Sequence, residues 1–281
     1  MKTFNKMNFS KKLTVIAFAT MAMACTASAD MAPKATPKYA AVVPASVLTP
    51  DTVQTKYAGE LKFVDGFPTD ETLVKTNDFM DTARAFELFE SGMATASMYA
   101  MLHGHNQIGV KANKTVALTE QLMDAKSLWL TPNTTTPYAH AEIDVKNGPV
   151  VIEIGSPVIS IVDDAYFKYV GDIGLGNPKD AGKGGKYLVF GKDFKGEIPE
   201  GYIVLKTNTY RHWMLTRPYQ MPGETLEQTL TKFKKGLKIY PLAEAKNPNP
   251  VEYINVSGMK YNTLHATDAT IYNELNEVIQ Y

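Results

Sequence analysis

Between Val150 and Leu205 the chain is cut into short β-prone runs that leave no room for a crossover helix. The runs are Val150-Val151-Ile152-Glu153-Ile154, Val158-Ile159-Ser160-Ile161-Val162 and residues 165–170, 187–190 and 202–205. Gly148-Pro149, Gly155-Ser156-Pro157, a loop over 171–185 and Pro199-Glu200-Gly201 punctuate them. Several short strands with frequent turn signals predict an antiparallel sandwich or barrel and exclude a doubly wound sheet.

Helical patterns flank this block, so the fold class expected is α+β. Thr69 and Thr72 open a helix over 72–93, where Met80, Ala83, Phe86, Phe89 and Met93 recur near a 3.6 period. Asp81, Arg84, Glu87 and Glu90 take the opposing, wetter positions. A second helical piece is expected over 93–102, ended by His103-Gly104-His105. After Pro222-Gly223, Leu226, Leu230, Phe233 and Leu237 make one apolar stripe, and Thr225 with Gln228 fits a capping box. Lys232, Lys234, Lys235 and Lys238 crowd its C-terminal turn and read as a solvated face. Residues 268–281 are again helix-like through Ile271, Leu275 and Ile279.

The first residues read as a targeting segment. Lys2, Lys6, Lys11 and Lys12 precede an apolar run from Leu13 to Met23, and Ala27-Ser28-Ala29 supplies the small residues of a cleavage site. The expected organisation is a signal peptide over 1–29, a flexible Ala/Pro-rich leader over 30–55, a β-sandwich module with N-terminal helices over 56–222, and a helical segment over 223–281. A periplasmic or secreted protein follows. Cys25, the single cysteine, offers lipid anchoring as the lesser alternative; an unlipidated mature chain then has no thiol and no disulfide. The whole chain has 29 basic and 29 acidic residues; removing the four N-terminal lysines leaves 25 against 29, net −4. That balance argues against nucleic acid as a partner, and the 44% hydrophobic content is ample for a core.

Motif tests remove several chemistries. The glycine- and lysine-rich loop fails as a P-loop: Gly176 to Gly182 is one residue too long, and Lys183 is followed by Gly184. Lys179 stands where a dinucleotide fingerprint needs its third glycine, and a mobile hairpin loop is expected instead. His103 and His105 lack the spacing and partners of a metal site, so no metal and no cofactor are expected. In an extended strand Tyr138, His140, Glu142 and Asp144 share one side next to Asn133, which reads either as a site or as the solvated side of an outer strand. Asp163 and Asp164 would point to opposite faces. Asp172, after a turn, is expected to cap a loop. Tyr210, Arg211, His212, Trp213 and Arg217 mix cation, imidazole and aromatic surface as a ligand pocket would, or as a structural Arg beside a buried Trp.

A set of ordered blocks resembles one family. They are Leu130-Thr131-Pro132-Asn133-Thr134-Thr135-Thr136-Pro137-Tyr138, Asp144 with Gly148-Pro149-Val150-Val151, Asp163-Asp164-Ala165, Asp172-Ile173-Gly174, Gly184-Gly185-Lys186-Tyr187-Leu188, Pro199-Glu200-Gly201-Tyr202 and Thr209-Tyr210. Together, from Phe67 onward, they resemble the DUF1254 family, with Tyr240-Pro241-Leu242 and Asn255-Val256-Ser257-Gly258 also similar. Some members carry Asp where Thr135 stands. The resemblance implies an immunoglobulin-like antiparallel β-sandwich with flanking helices, and usually a second, DUF1214 module, for which this chain has no counterpart before Tyr281. It transfers no catalytic residues.

The function expected is binding of a small polar or carbohydrate-like ligand in the cell envelope through Asn133, Tyr138, His140, Tyr210, Arg211 and Trp213. A hydrolase using His140, Asp144, Asp172 or His212 as acid–base groups is the first alternative. A structural module docking a DUF1214-like partner, or a homo-oligomer, is the second.

Overall fold

The computed structural model describes residues 44–47 and 50–281. The signal-like segment, Cys25 and most of the expected leader lie outside the described residues. Thr52–Thr55 (β1), inside that leader span, already pairs with Gly59–Val64 (β2), and Phe67–Pro68 (β3) completes a small three-stranded arm. Asp70–Gln107 (α1) follows, then Thr115–Leu118 (β4), Ala139–Asp144 (β5), Val150–Ile154 (β6), Val158–Asp164 (β7), Tyr169–Gly174 (β8), Gly185–Phe190 (β9), Ile203–Lys206 (β10) and Arg211–Pro218 (β11). Leu226–Gly236 (α2), Lys238–Pro241 (β12), Glu252–Asn255 (β13) and Ile271–Gln280 (α3) end the order. The protein is α+β, with three α-helices among the described residues.

Two larger sheets share one core, the arrangement of a sandwich. One runs β10-β9-β6-β12 and the other β13-β4-β5-β11-β7-β8. Val116, Ala141, Ile143, Val162, Ile173 and Met214 of the second meet Val150, Ile152, Tyr187, Val189 and Ile239 of the first. α2 closes this core with Leu230, Phe233 and Leu237, under the expected Thr225–Gln228 capping box. Its lysines are solvated, Lys234 pairing with Glu120 at 2.7 Å and Lys232 with Glu224, whereas Lys238, expected in its last turn, opens β12 and pairs with Glu153 at 3.1 Å. β12 and β13 interrupt the helical segment expected over 223–281.

The sheets are mixed rather than wholly antiparallel: β9 pairs β10 and β4 pairs β13 in parallel. A parallel return needs about a dozen residues but not a helix, and the coil over 191–202 suffices for β10. The strand expected at 165–170 is displaced. The Asp164 carboxylate accepts the N–H groups of Tyr166 and Lys168 at 2.9 and 3.0 Å, so 165–168 becomes the turn and β8 runs to Gly174. Asp172 is therefore a mid-strand residue, not a loop cap. The remaining glycine-rich loop is pinned by buried Asp180, which accepts from the Gly184 N–H and the Tyr187 hydroxyl, each at 2.8 Å.

The helical expectation changes most. Thr69 caps a single helix of 38 residues that passes through His103-Gly104-His105 without a break. Gly104 packs so closely on the chain near Asn262 that a Cβ would sit 2.1 Å from the Asn262 carbonyl oxygen. This glycine answers a packing demand, not a chain-termination demand. The predicted Met80–Phe86–Met93 stripe is not the buried face: Phe86 is 67% exposed. The helix instead buries its small-residue half, Gly92, Ala96, Ser97, Ala100 and Gly104, with Gly92 against Leu275 of α3.

Candidate functional site

β5 alternates Ala139, Ala141 and Ile143 with His140, Glu142 and Asp144. The first set enters the sandwich core. Antiparallel partners across a sheet share a face, and the register pairs His140 with Leu215, Glu142 with Trp213 and Asp144 with Arg211. The polar face of β5 is not the solvated side of an outer strand. β5 sits between β4 and β11, and the C-terminal half of α1 contributes to the cover over it; His140 is 2% exposed and Glu142 4%.

Between that face, α1 and the segment entering β5 lies a chamber of about 330 Å³. Apolar side chains dominate it: Met101 of α1, Met123, Trp129, Leu130 and Pro132 of the entering segment, and Phe167, Trp213 and Leu215 from the sheet side. Tyr138, His140, Thr131 and Arg217 supply its polar groups. Thr131 and Phe167 hold left-handed backbone (φ 48° and 61°), a costly conformation for a β-branched or bulky residue. Asn133 braces the rim. Its Oδ1 accepts from the N–H groups of Thr135 and Thr136, both at 3.0 Å, and the Asn133 N–H donates to the Tyr138 hydroxyl at 3.1 Å.

An aromatic stack forms the wall. The His140 ring centroid lies 4.4 Å from Trp129, 5.0 Å from His105 and 5.8 Å from Trp213. Trp213 Nε1–H donates to His140 Nδ1 at 3.3 Å and Trp129 Nε1–H to the Tyr261 hydroxyl at 2.8 Å. Burial, and then the neighbouring His105, push the His140 pKa well below the usual imidazole range. A neutral His140 accepting at Nδ1 carries its proton on Nε2. Burial lowers His105 to about 4 against its hydrogen bond to Met101, and its Nε2 is a buried acceptor with no partner among the described residues. Arg217 lies over the Tyr138 ring, 5.1 Å from guanidinium to centroid. It enters none of the ion pairs found among the described residues.

The predicted residues divide. Tyr138, His140 and Trp213 meet in the chamber, with Asn133 bracing its rim. Tyr210 and Arg211 line a separate cavity of about 180 Å³ between α1, α3 and the end of β11. There Arg211 Nε–H donates to buried Glu142 at 2.6 Å. Asp144 accepts from the Tyr281 hydroxyl, and Asp172, on edge strand β8, from the Tyr169 hydroxyl. His212 is fully buried on the core side, where its Nδ1–H donates to the Ile143 carbonyl and Nε2 accepts from Thr207. His140, Asp144, Asp172 and His212 do not converge on one cavity. Asp163, opposite Trp213 on the helix-facing side, is raised to about 6 by burial and then by Asp164 and Asp172.

Met101, Met123, Trp129 and Phe167 were not expected from the sequence as chamber residues, and His105 was expected only as part of a helix-ending turn or as a metal candidate. Trp129 immediately precedes the Leu130–Tyr138 block, the one local signal that pointed to it.

Residues 113–241 match the model of the family described as "Protein of unknown function (DUF1254)". The chain is a DUF1254 domain-containing protein. The match begins after α1 and ends with β12, a narrower span than the resemblance from Phe67 onward. No curated protein matches the chain. Among solved structures, the VPA0106 protein from Vibrio parahaemolyticus is similar at 16% identity and a TM-score of 0.48, over 68% of this chain and 44% of that one. The chain thus spans less than half of that protein. Among the described residues, no helix is long and apolar enough to cross a membrane.

Proposed function

We propose that the chamber binds one small molecule with a flat apolar body and a single anionic head, and that the protein does so in the cell envelope. The observation that carries this reading is Arg217, a guanidinium with no ion pair among the described residues, on the lining of a largely apolar and aromatic chamber of about 330 Å³. That volume is at the lower end of the ~300–1,000 Å³ typical of ligand pockets. A guanidinium favours a planar carboxylate by bidentate donation. The carbohydrate-like ligand expected from sequence is narrowed by the lining. Each sugar hydroxyl left unpaired against Met101, Met123 or Leu130 would cost about 1–3 kcal/mol. The envelope location rests on the signal-like segment. An immunoglobulin-like ancestry for the sandwich, and docking of a separate DUF1214-like partner, rest on the family resemblance alone.

Thermal shift and calorimetry with benzoate, phenylacetate, indole-3-acetate and glucose test the reading. Aromatic acids are expected to stabilise the protein, and Arg217→Ala to weaken them about 10- to 100-fold, the worth of a charge-assisted hydrogen bond. Met123→Trp, which fills the chamber, should abolish binding. Silence from every aromatic acid, or acid binding indifferent to both substitutions, would sink the proposal.

A further inference from the structure

We infer that two copies of this chain associate through the N-terminal half of α1, packed antiparallel about a two-fold axis near residues 82 and 83. The helix is 38 residues long, about 57 Å at 1.5 Å per residue. Between Leu73 and Met93 the described chain buries only Gly92. Phe86 is 67% exposed, Val74 59%, Met80 46% and Phe79 45%, and the adjacent arm adds Tyr57 at 72% and Phe67 at 75%. With Leu73, Leu88 and Met93 these side chains leave apolar surface approaching ~1,000 Å² in water, spread over more than one side of the helix. A typical monomer's largest apolar patch is about 300–600 Å², whereas a stable interface takes about 800 Å² from each partner.

The apolar residues are not one core-facing stripe. At about 100° per residue, Phe79, Ala83, Phe86 and Met93 form one row and Leu73, Met80 and Leu88 another. The side toward α3 is a third, carrying Phe89 and Gly92 and the Ala85 carbonyl that accepts from the Tyr272 hydroxyl. A helix apolar on several sides is one that expects cover on several sides.

The charge pattern favours a second copy as that cover. Antiparallel pairing about residues 82 and 83 sets Phe79 opposite Phe86 of the other copy, twice, with small Thr82 and Ala83 at the crossing where helix axes approach to about 8–10 Å. The same register sets Lys75, now 2.8 Å from Glu71, opposite Glu90 of the other copy, which has no ion pair among the described residues. An isologous contact closes with two copies and leaves the chamber free.

Light scattering and sedimentation of the purified full chain test this independently of ligand binding. At about 100 µM, above the dissociation constant expected of such an interface, the mass should be twice the 31.0 kDa of one chain. Phe86→Glu should weaken association on the order of 100-fold or more, because the residue occurs twice in the contact. Its circular dichroism and melting temperature at low concentration should be retained, since Phe86 touches none of the core. Lys75→Glu and Glu90→Lys should each weaken the dimer and together restore it. A monomer at that concentration overturns the inference, including one in which residues 1–43 cover the helix. A dimer untouched by Phe86→Glu overturns it equally.

Discussion

His105 and His140 stack 5.0 Å apart, and neither ring has a carboxylate partner to favour its charged form. The consequence is a pH dependence whose sign is set by burial. The folded pKa of His105 is about 4, against the ordinary 6.5, so between those values the unfolded chain binds more protons. Its contribution to stability is complete above about pH 6.5 and is lost as pH falls toward 4. Asp163 works in the opposite direction. Raised to about 6, it favours the folded state as pH falls through 6. The diagnostic quantity is therefore a difference between variants. His105→Leu removes the unpaired Nε2 and should lie within about 1 kcal/mol of wild type at pH 7, yet gain on the order of 3 kcal/mol relative to it near pH 4. Urea unfolding at pH 7, 5.5 and 4 measures this; a constant difference would show that His105 does not titrate between states.

At the scale of elements, α1 shows how tertiary contact overrides a local signal. Gly104 reads as a helix breaker beside two histidines, and a glycine mid-helix does cost roughly 1 kcal/mol relative to alanine. The helix continues because its last turns are held against the chain near Asn262 and Thr263. Gly104→Ala should therefore reverse the usual ranking and destabilise by about 1–3 kcal/mol, the cost of overpacking a rigid neighbour. Thermal unfolding checks it, with an exposed alanine-for-serine change at Ser91 as the control that should be neutral. By contrast, α2 was legible to within a residue or two, because its cap, its stripe and its lysine-rich end are all local properties. β5 lies between these cases. Its alternation was visible at Tyr138, His140, Glu142 and Asp144, but alternation alone does not say which side meets water.

Over the whole molecule, Phe233 reaches from α2 into the core that both sheets share. Phe233→Ala should cost about 3–5 kcal/mol, as removal of a fully buried ring does. Amide exchange in β5 and β6 should accelerate together. Faster exchange in β6 alone would mean that the two sheets open independently, contrary to a single core.

The sequence by itself determined the α+β class, the short-strand sandwich without helical crossovers, the capped α2 and the DUF1254 assignment. Each depends on residues close in the chain, on turn chemistry, periodicity and ordered blocks. Only the tertiary structure decided that α1 contributes to the cover over the polar face of β5. It likewise decided that His105 meets His140 and Trp129, that Arg211 belongs to Glu142, and that His212 is a core residue. Those contacts join segments tens of residues apart, and the strand register and helix packing that create them are set by burial across the whole fold, which local pattern does not encode.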